Sequence, residues 1–388
     1  MTNVNRKMLF GIAVVGFLAF ALGNPASALH DGGVAHCDAC HTMHNSADNP
    51  ATGTTNNLLL KGTDASSTCL NCHNGSGGYH INSTDGSGVN GGGDFYWMTK
   101  DYSVAGGWPG APVVTYLGDD HGHNVIAADY GLLQDANPNN ATAPGGTYDS
   151  SNLGCNSCHD PHGTAGGGTA ADLAPISGSG SYGDPEPVDG SRLGNYRLLG
   201  DNTYVAPGGV AFTAAAPIAA ASGSDGASVD YGSGMSEWCA NCHGDYINDS
   251  HKHPAGDGEH LNGFGDNYNS YVATGNFTGI VDTAFDGLVP FERCVTTGGW
   301  DLDPASTVGT DASSNVMCLT CHRAHASANA NAGRWDFEVE LLTHSKALTS
   351  PDVTPGSAVY YKDGVVVDIA TAYGEHQRSL CNKCHVQD

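Results

Sequence analysis

One pentapeptide, occurring six times, constrains this chain more than any other feature. It reads Cys37-Asp38-Ala39-Cys40-His41, Cys69-Leu70-Asn71-Cys72-His73, Cys155-Asn156-Ser157-Cys158-His159, Cys239-Ala240-Asn241-Cys242-His243, Cys318-Leu319-Thr320-Cys321-His322 and Cys381-Asn382-Lys383-Cys384-His385. Each is C-x-x-C-H, the attachment pattern of a c-type haem. Two thiols three residues apart can bond to the two vinyl groups on one porphyrin edge. The histidine next to the second thiol then lies under the ring and ligates the iron. Zinc sites built on C-x-x-C need a second pair or distant histidines, and thioredoxin-type motifs come singly. Structural disulfides would account for the cysteines but not for six histidines in fixed position. The six motifs use 12 of 13 cysteines, and they predict six covalently bound c-type haems.

The N-terminus reads as a secretory signal. Arg6 and Lys7 form the positive region, Met8 to Leu22 is apolar, and Ala26-Ser27-Ala28 is a small-x-small cleavage site. The apolar run of 15 residues ends at Gly23, Asn24 and Pro25, short of the roughly 20 residues of a membrane span. Residues 1–28 are therefore expected to be removed, leaving residues 29–388 as one secreted hexahaem domain with no membrane span. The expected location is extracellular or on the outer cell surface, reached through the periplasm.

The mature chain has 388 − 28 = 360 residues, or 60 for each motif. Charged residues make up 14% of the chain, against about 25% in an average protein. Gly is 55 of 388 residues, about twice the usual share. Without cofactors that composition would suggest disorder; six flat apolar haems supply the core that side chains lack. The haem-free chain is accordingly expected not to fold. The net charge of −26 disfavours nucleic acid and anionic membrane as partners.

The first cysteines of successive motifs are spaced by 32, 86, 84, 79 and 63 residues. That predicts repetition of the haem motif alone, with no structural period. Gly/Asn/Ser/Thr stretches such as 75–78, 90–93, 166–168 and 177–183 read as loops. A short strand is expected around 209–212, and an ordinary helix over 338–348. Each C-x-x-C-H is expected on one helical turn. The fold class is a mostly irregular, loop-rich multihaem cytochrome c with few short helices, very little sheet and a haem-organised core.

Each iron also needs a second axial ligand or an open position. Thirteen histidines remain after the six proximal ones, whereas only Met43, Met98, Met235 and Met317 lie beyond the signal. Bis-histidine ligation is the simpler reading. Three motifs extend to C-x-x-C-H-x-x-H, pairing His41 with His44, His159 with His162 and His322 with His325. Residues three apart on a helical turn face the same way. The second histidine therefore cannot cross to the far face of its own haem, but can reach the iron of a neighbour. The other three distal ligands are chosen among His80, His123 and His253, with His30 and His344 in reserve.

Several stretches carry a family resemblance beyond the haem motif: HDGGVAHCDACHTMHNS (30–46), GGGDFYWMTKDY (91–102), GHNVIAADY (122–130), APGGTYDSSNLGCNSCHDPHG (143–163), YGSGMSEWCANCH (231–243), SNVMCLTCHRAHAS (314–327) and RSLCNKCH (378–385). The chain resembles the OmcS-type extracellular hexahaem nanowire cytochromes of metal-reducing bacteria. The resemblance runs from the cleavage site to the C-terminus and is weaker over about 164–230 and 261–312. It implies a continuous line of stacked haem pairs, with distal ligands at His44, His80, His123, His162, His253 and His325. It also implies that His44 ligates the His322 haem of the next subunit, giving a head-to-tail homopolymer.

The function expected is extracellular electron transfer through six bis-histidine haems, from other redox proteins to outside acceptors. A discrete periplasmic or surface shuttle is the alternative, and a multihaem reductase a more distant one. No enzyme activity is expected, because distal histidines suffice for all six irons. Cys294 stands outside the motifs and reads as a buried free thiol or an intersubunit disulfide. His121, His251, His260 and His376 read as surface residues.

Overall fold

A chain so rich in turn-forming residues satisfies its backbone through short-range bonds and isolated bridges, not long ladders. The computed structural model describes residues 39–42, 59–75, 80–86, 91–104, 113–161, 196–221, 229–248, 253–286, 289–294, 302–303, 306–342, 361–362, 365–366, 373–374 and 376–386. Among these, the helices are α1 (Ala65–His73), α2 (Met235–Asn248), α3 (Gly263–Ser270) and the single turns α4 (Cys318–Cys321) and α5 (Asn382–His385). Strands occur only as antiparallel two-stranded ribbons: Tyr102–Val104 with Val114–Tyr116, Val205–Ala206 with Val210–Ala211, Ile218–Ala221 with Val229–Ser233, and Tyr361–Lys362 with Val365–Val366. This is the loop-rich architecture with few helices and little sheet that the sequence predicts. No helix of the described residues is long and apolar enough to cross a membrane. The signal region lies outside the described residues.

The strand expected near 209–212 forms at Val210–Ala211. Its hairpin turns at Gly208 and Gly209, both left-handed with φ of +85° and +86°, a conformation that glycine adopts without steric cost.

The helix expected over 338–348 does not form in its described part. Leu342 N–H donates to Gln377 O at 2.9 Å, and Ser379 N–H donates to Glu340 O at 3.0 Å. These bonds tie the segment to 377–379 as an isolated bridge, which buries Leu342 against Tyr268, Phe291 and Trp335. Tertiary pairing overrides helix propensity here. Residues 343–348 lie outside the described residues.

Among the described residues, apolar burial is divided among four clusters, with Leu153 and Trp238 each packed against two of them. The first is built on the 3₁₀ turn Phe95–Thr99, whose Phe95, Tyr96, Trp97 and Met98 pack with Leu70 and Val125. The Asp94 carboxylate caps that turn, accepting from Tyr96 N–H at 3.0 Å and from Ser83 N–H at 2.9 Å. Met98 lies in this cluster, and Met235 and Met317 in another; the three described methionines serve as packing.

His121 departs from its expected surface position, with 0% of its area exposed. Ser327 N–H donates to His121 O, His123 N–H donates to His325 O, and the imidazole Nδ1–H donates to Ser327 O at 2.9 Å. This pairing of 121–123 with 325–327 draws the ring inward. His260 and His376 are exposed as expected, and His251 lies outside the described residues.

Candidate haem-binding sites

The first, third and fifth motifs share one backbone arrangement that their irregular spacing concealed. At the third motif, Asp160 N–H donates to Leu198 O at 2.8 Å and Gly200 N–H donates to Cys158 O at 2.9 Å. At the fifth, Arg323 N–H donates to Ala332 O at 2.7 Å and Arg334 N–H to Cys321 O at 2.8 Å. At the first, Thr42 N–H donates to Leu59 O at 2.7 Å and Lys61 N–H to Cys40 O at 2.9 Å. Each motif histidine thus forms an isolated bridge with a returning segment: His41 with Leu60, His159 with Leu199 and His322 with Gly333. Each return passes through a left-handed residue that is not glycine: Leu59 (φ 56°), Leu198 (φ 60°) and Ala332 (φ 53°). A structural repeat therefore does exist around the odd-numbered motifs, contrary to the expectation from spacing.

The second motif ends α1, the fourth lies within α2 and the sixth on α5. His243 interrupts α2 with φ −115° and ψ 40°, and its Nδ1–H donates to Pro144 O at 2.7 Å. Two serines join even to odd motifs. Ser66 Oγ accepts from Cys155 N–H at 2.9 Å, and Ser236 Oγ accepts from Cys318 N–H at 3.0 Å. Both precede the first cysteine of their own motif by three positions, a Ser-x-x-Cys signal that the sequence reading missed. The same junctions bring thiols side by side, Cys69 beside Cys155 and Cys239 beside Cys318.

Three pairs of imidazoles face one another across the fold. Ring centres are 6.4 Å apart for His159 and His325, 6.0 Å for His123 and His243, and 6.2 Å for His253 and His385. A metal–imidazole bond of about 2.0 Å, plus about 1.1 Å from the nitrogen to the ring centre, puts two coaxial ligands roughly 6.2 Å apart. Each pair joins the histidine of a C-x-x-C-H motif to a histidine distant in sequence, with a separation that suits one iron between them.

Carbonyl groups set which nitrogen can bind metal. Nδ1–H donates to Ala324 O from His123 at 2.8 Å, to Arg197 O from His159 at 2.8 Å and to Pro254 O from His253 at 2.9 Å. This leaves Nε2 as the nitrogen with a lone pair able to bind a metal in each ring. His322 is held the same way, by Asn331 O at 2.8 Å. No described imidazole stands opposite His322; its ring meets Phe337 edge-on at 5.5 Å. Ile81 N–H donates to His73 O at 2.9 Å, which returns the His80 segment to the end of α1. Cys37, His44 and His162, with the reserves His30 and His344, lie outside the described residues.

No family model matches the chain. Over 429 aligned positions it is 37% identical to C-type cytochrome OmcS of Geobacter sulfurreducens, covering 95% of this chain and 97% of that protein. The chain belongs to the OmcS family of c-type cytochromes. Its fold superposes on the cryo-EM structure of the OmcS nanowires from Geobacter sulfurreducens with a TM-score of 0.71 at 36% identity, covering 92% of this chain and 100% of that one. A second structure, the Outer Membrane Cytochrome S filament from the same organism, gives 0.69 at 35% identity, with 92% and 100% covered. Membership makes covalently bound haem the cofactor of this OmcS-family chain.

The side-chain chemistry of this OmcS-family cytochrome fits that cofactor. Burial, followed by the opposing His243, pushes His123 down to about 4. Burial, followed by the facing His159, pushes His325 down to about 3. Both rings are therefore neutral, the form that ligates iron. Burial also pushes the thiols of Cys158, Cys321 and Cys384 up to about 12. Cys294 is half-buried, its thiol donates to Ser313 O, and burial chiefly pushes it up to about 11. It forms no disulfide with another described cysteine of its own chain.

Proposed function

We propose that this protein carries electrons outside the cell as one subunit of a head-to-tail filament, through six bis-histidine c-type haems. Support comes from the link between the fifth and third motifs. His325, three residues beyond proximal His322, stands opposite proximal His159. The second histidine of one odd-numbered motif thus serves the odd-numbered motif before it.

Applied along the chain, the same rule assigns His162 to the site of His41. His123 serves His243 and His253 serves His385, which leaves His80 for His73. His44 then has no odd-numbered motif before it in its own chain, and His322 has none after it. Ligation of the His322 site by His44 of a second copy completes both. Such a heterologous contact does not close, so it propagates as a filament. The solved relatives are described as nanowires and as a filament.

Each haem, when bound, supplies a one-electron iron couple. The protein residues do the remaining work. Paired cysteines would hold each group covalently, and paired imidazoles would bind its iron. Carbonyl acceptors hold the imidazole tautomer, and Ser66 and Ser236 lock neighbouring motifs together. Histidines enough to supply two ligands to every iron would leave no position for a substrate, and on this reading the chain is a conduit and not a reductase. Secretion through a removed signal at 1–28 places it where outside acceptors can be reached.

Cryo-electron microscopy of protein sheared from cells tests this reading. Filaments with density joining His44 of one subunit to the His322 haem of the next are expected, and His44→Ala should leave haem-loaded monomers. Compact particles with all twelve axial ligands supplied within one chain would make the protein a discrete shuttle.

A further inference from the structure

Three carboxylates converge at a place that haem binding does not use. Glu237 is in the first turn of α2, Asp257 follows in the loop 253–259, and Glu292 lies in the bridge to Tyr231 and Asn315. One carboxylate oxygen from each lies within 4.8 Å of those of the other two.

Glu292 carries the argument. It is 0% exposed; its Oε1 accepts from Met235 N–H at 2.8 Å, while its buried Oε2 meets no hydrogen-bond donor. Glu237 repeats the pattern, with Oε1 accepting from Asp257 N–H at 2.7 Å and a buried Oε2 without a donor. The adjacent cation, Arg293, is turned away: it pairs with Asp230 at 3.4 Å and donates to Val308 O at 2.6 Å. Gly256, with φ of +117°, lets the loop approach; a Cβ there would sit 2.4 Å from Glu237 Oε1.

Burial chiefly, with Asp257 and Glu237 adding to it, pushes Glu292 up to about 8. Three carboxylates this close, one of them fully buried, can all be charged only if a positive charge stands between them; without one, Glu292 holds a proton.

We propose that Glu237, Asp257 and Glu292 bind one divalent cation of the calcium class. The donors are hard oxygens only, with no imidazole or thiolate that would select a softer metal. Oxygens at about 2.3–2.6 Å from calcium lie no more than roughly 5 Å apart, which the observed spread meets. The ion clips the start of α2 to the segment at Glu292. Ser236, next to Glu237, accepts from Cys318 N–H, so the clip braces the junction of the fourth and fifth motifs.

The test uses the intact haem-loaded protein, stripped with EDTA, dialysed and titrated with CaCl₂ by calorimetry, with MgCl₂ as competitor. One calcium per chain is expected. Asp257→Asn, whose side chain is exposed, and Glu292→Gln should each weaken binding by at least about tenfold, with the haem absorbance unchanged in the Asp257 variant. No stoichiometric calcium binding by the stripped wild type, or Asp257→Asn binding with wild-type affinity, would overturn the proposal. Because the Asp257 substitution leaves the buried carboxylate in place, the outcome does not depend on whether Glu292→Gln folds.

Discussion

Replacement of His325 by alanine tests the pairing rule most directly. The imidazole of His325 stands 6.4 Å from that of His159, centre to centre, and 5.0 Å from the ring of Phe95. The pairs His123/His243 and His253/His385 share neither residue with it. The substitution therefore removes one axial ligand from the third-motif site and leaves the other two pairs intact. One site in six loses a strong-field ligand, so about one sixth of the haem should change from low to high spin. Truncation also leaves a hole the size of an imidazole between Phe95 and the His159 site. Added imidazole should fill it and restore the low-spin signal, as apolar cavities accept ligands of matching shape. His325→Met should keep the site six-coordinate while raising one couple in potential.

The assay is electron paramagnetic resonance and visible absorbance of the intact haem-loaded protein, titrated with imidazole. An alanine variant in which every haem stays low-spin would refute the pairing. So would a high-spin fraction far above one sixth that imidazole fails to reduce, because the histidine would then be holding the fold and not one iron.

Three further outcomes follow from particular residues. Glu292 is pushed up to about 8 from about 4.3 in an unfolded chain. Its folded form thus holds a proton that the unfolded form gives up. The stability it contributes is complete below about pH 4.3 and lost as the pH rises to about 8, by up to roughly 1.4 kcal/mol per pH unit. Urea unfolding in the presence of chelator should show this decline, and Glu292→Gln should flatten it; an unchanged slope contradicts the assignment. Ser236→Ala removes the acceptor of Cys318 N–H at a residue 0% exposed and should cost about 1–3 kcal/mol, read as a lower urea midpoint. The haem-free chain, with its apolar residues divided among four clusters, should give the circular dichroism of an unfolded polypeptide; an ordered spectrum would show that side chains alone build the core.

The chemistry of each site was legible before any coordinates, because C-x-x-C-H places covalent and axial groups within five residues. The excess of histidine over methionine pointed to paired imidazoles, and Met98, Met235 and Met317 are indeed packed in apolar clusters. Which imidazoles would meet was not legible for the even-numbered motifs. His123 reaches His243, and His253 reaches His385, across loops whose Gly- and Asn-rich sequence has no period to read. In the described part of the helix expected over 338–348, Leu341 instead bridges to Arg378, a distant pairing that the apolar spacing does not announce.

The repeat around the odd-numbered motifs was hidden by the residues that make it. Its return strands turn at Leu59, Leu198 and Ala332, types that seldom adopt left-handed backbone and give no local warning of it. Paired backbone bonds to the motif hold them there, so the signal lies in tertiary contact and not in the turn sequence. Once the repeat is seen, the doublet histidines acquire a direction. In the proposed assignment the fifth motif supplies the third through His325, which stands opposite His159, and the same offset would carry the third to the first through His162. His44 is where that series runs off the start of its own chain. The site of His322, held by Asn331 and facing no described imidazole, is where the proposed series begins, and in the proposed filament a second copy would bring the two ends together.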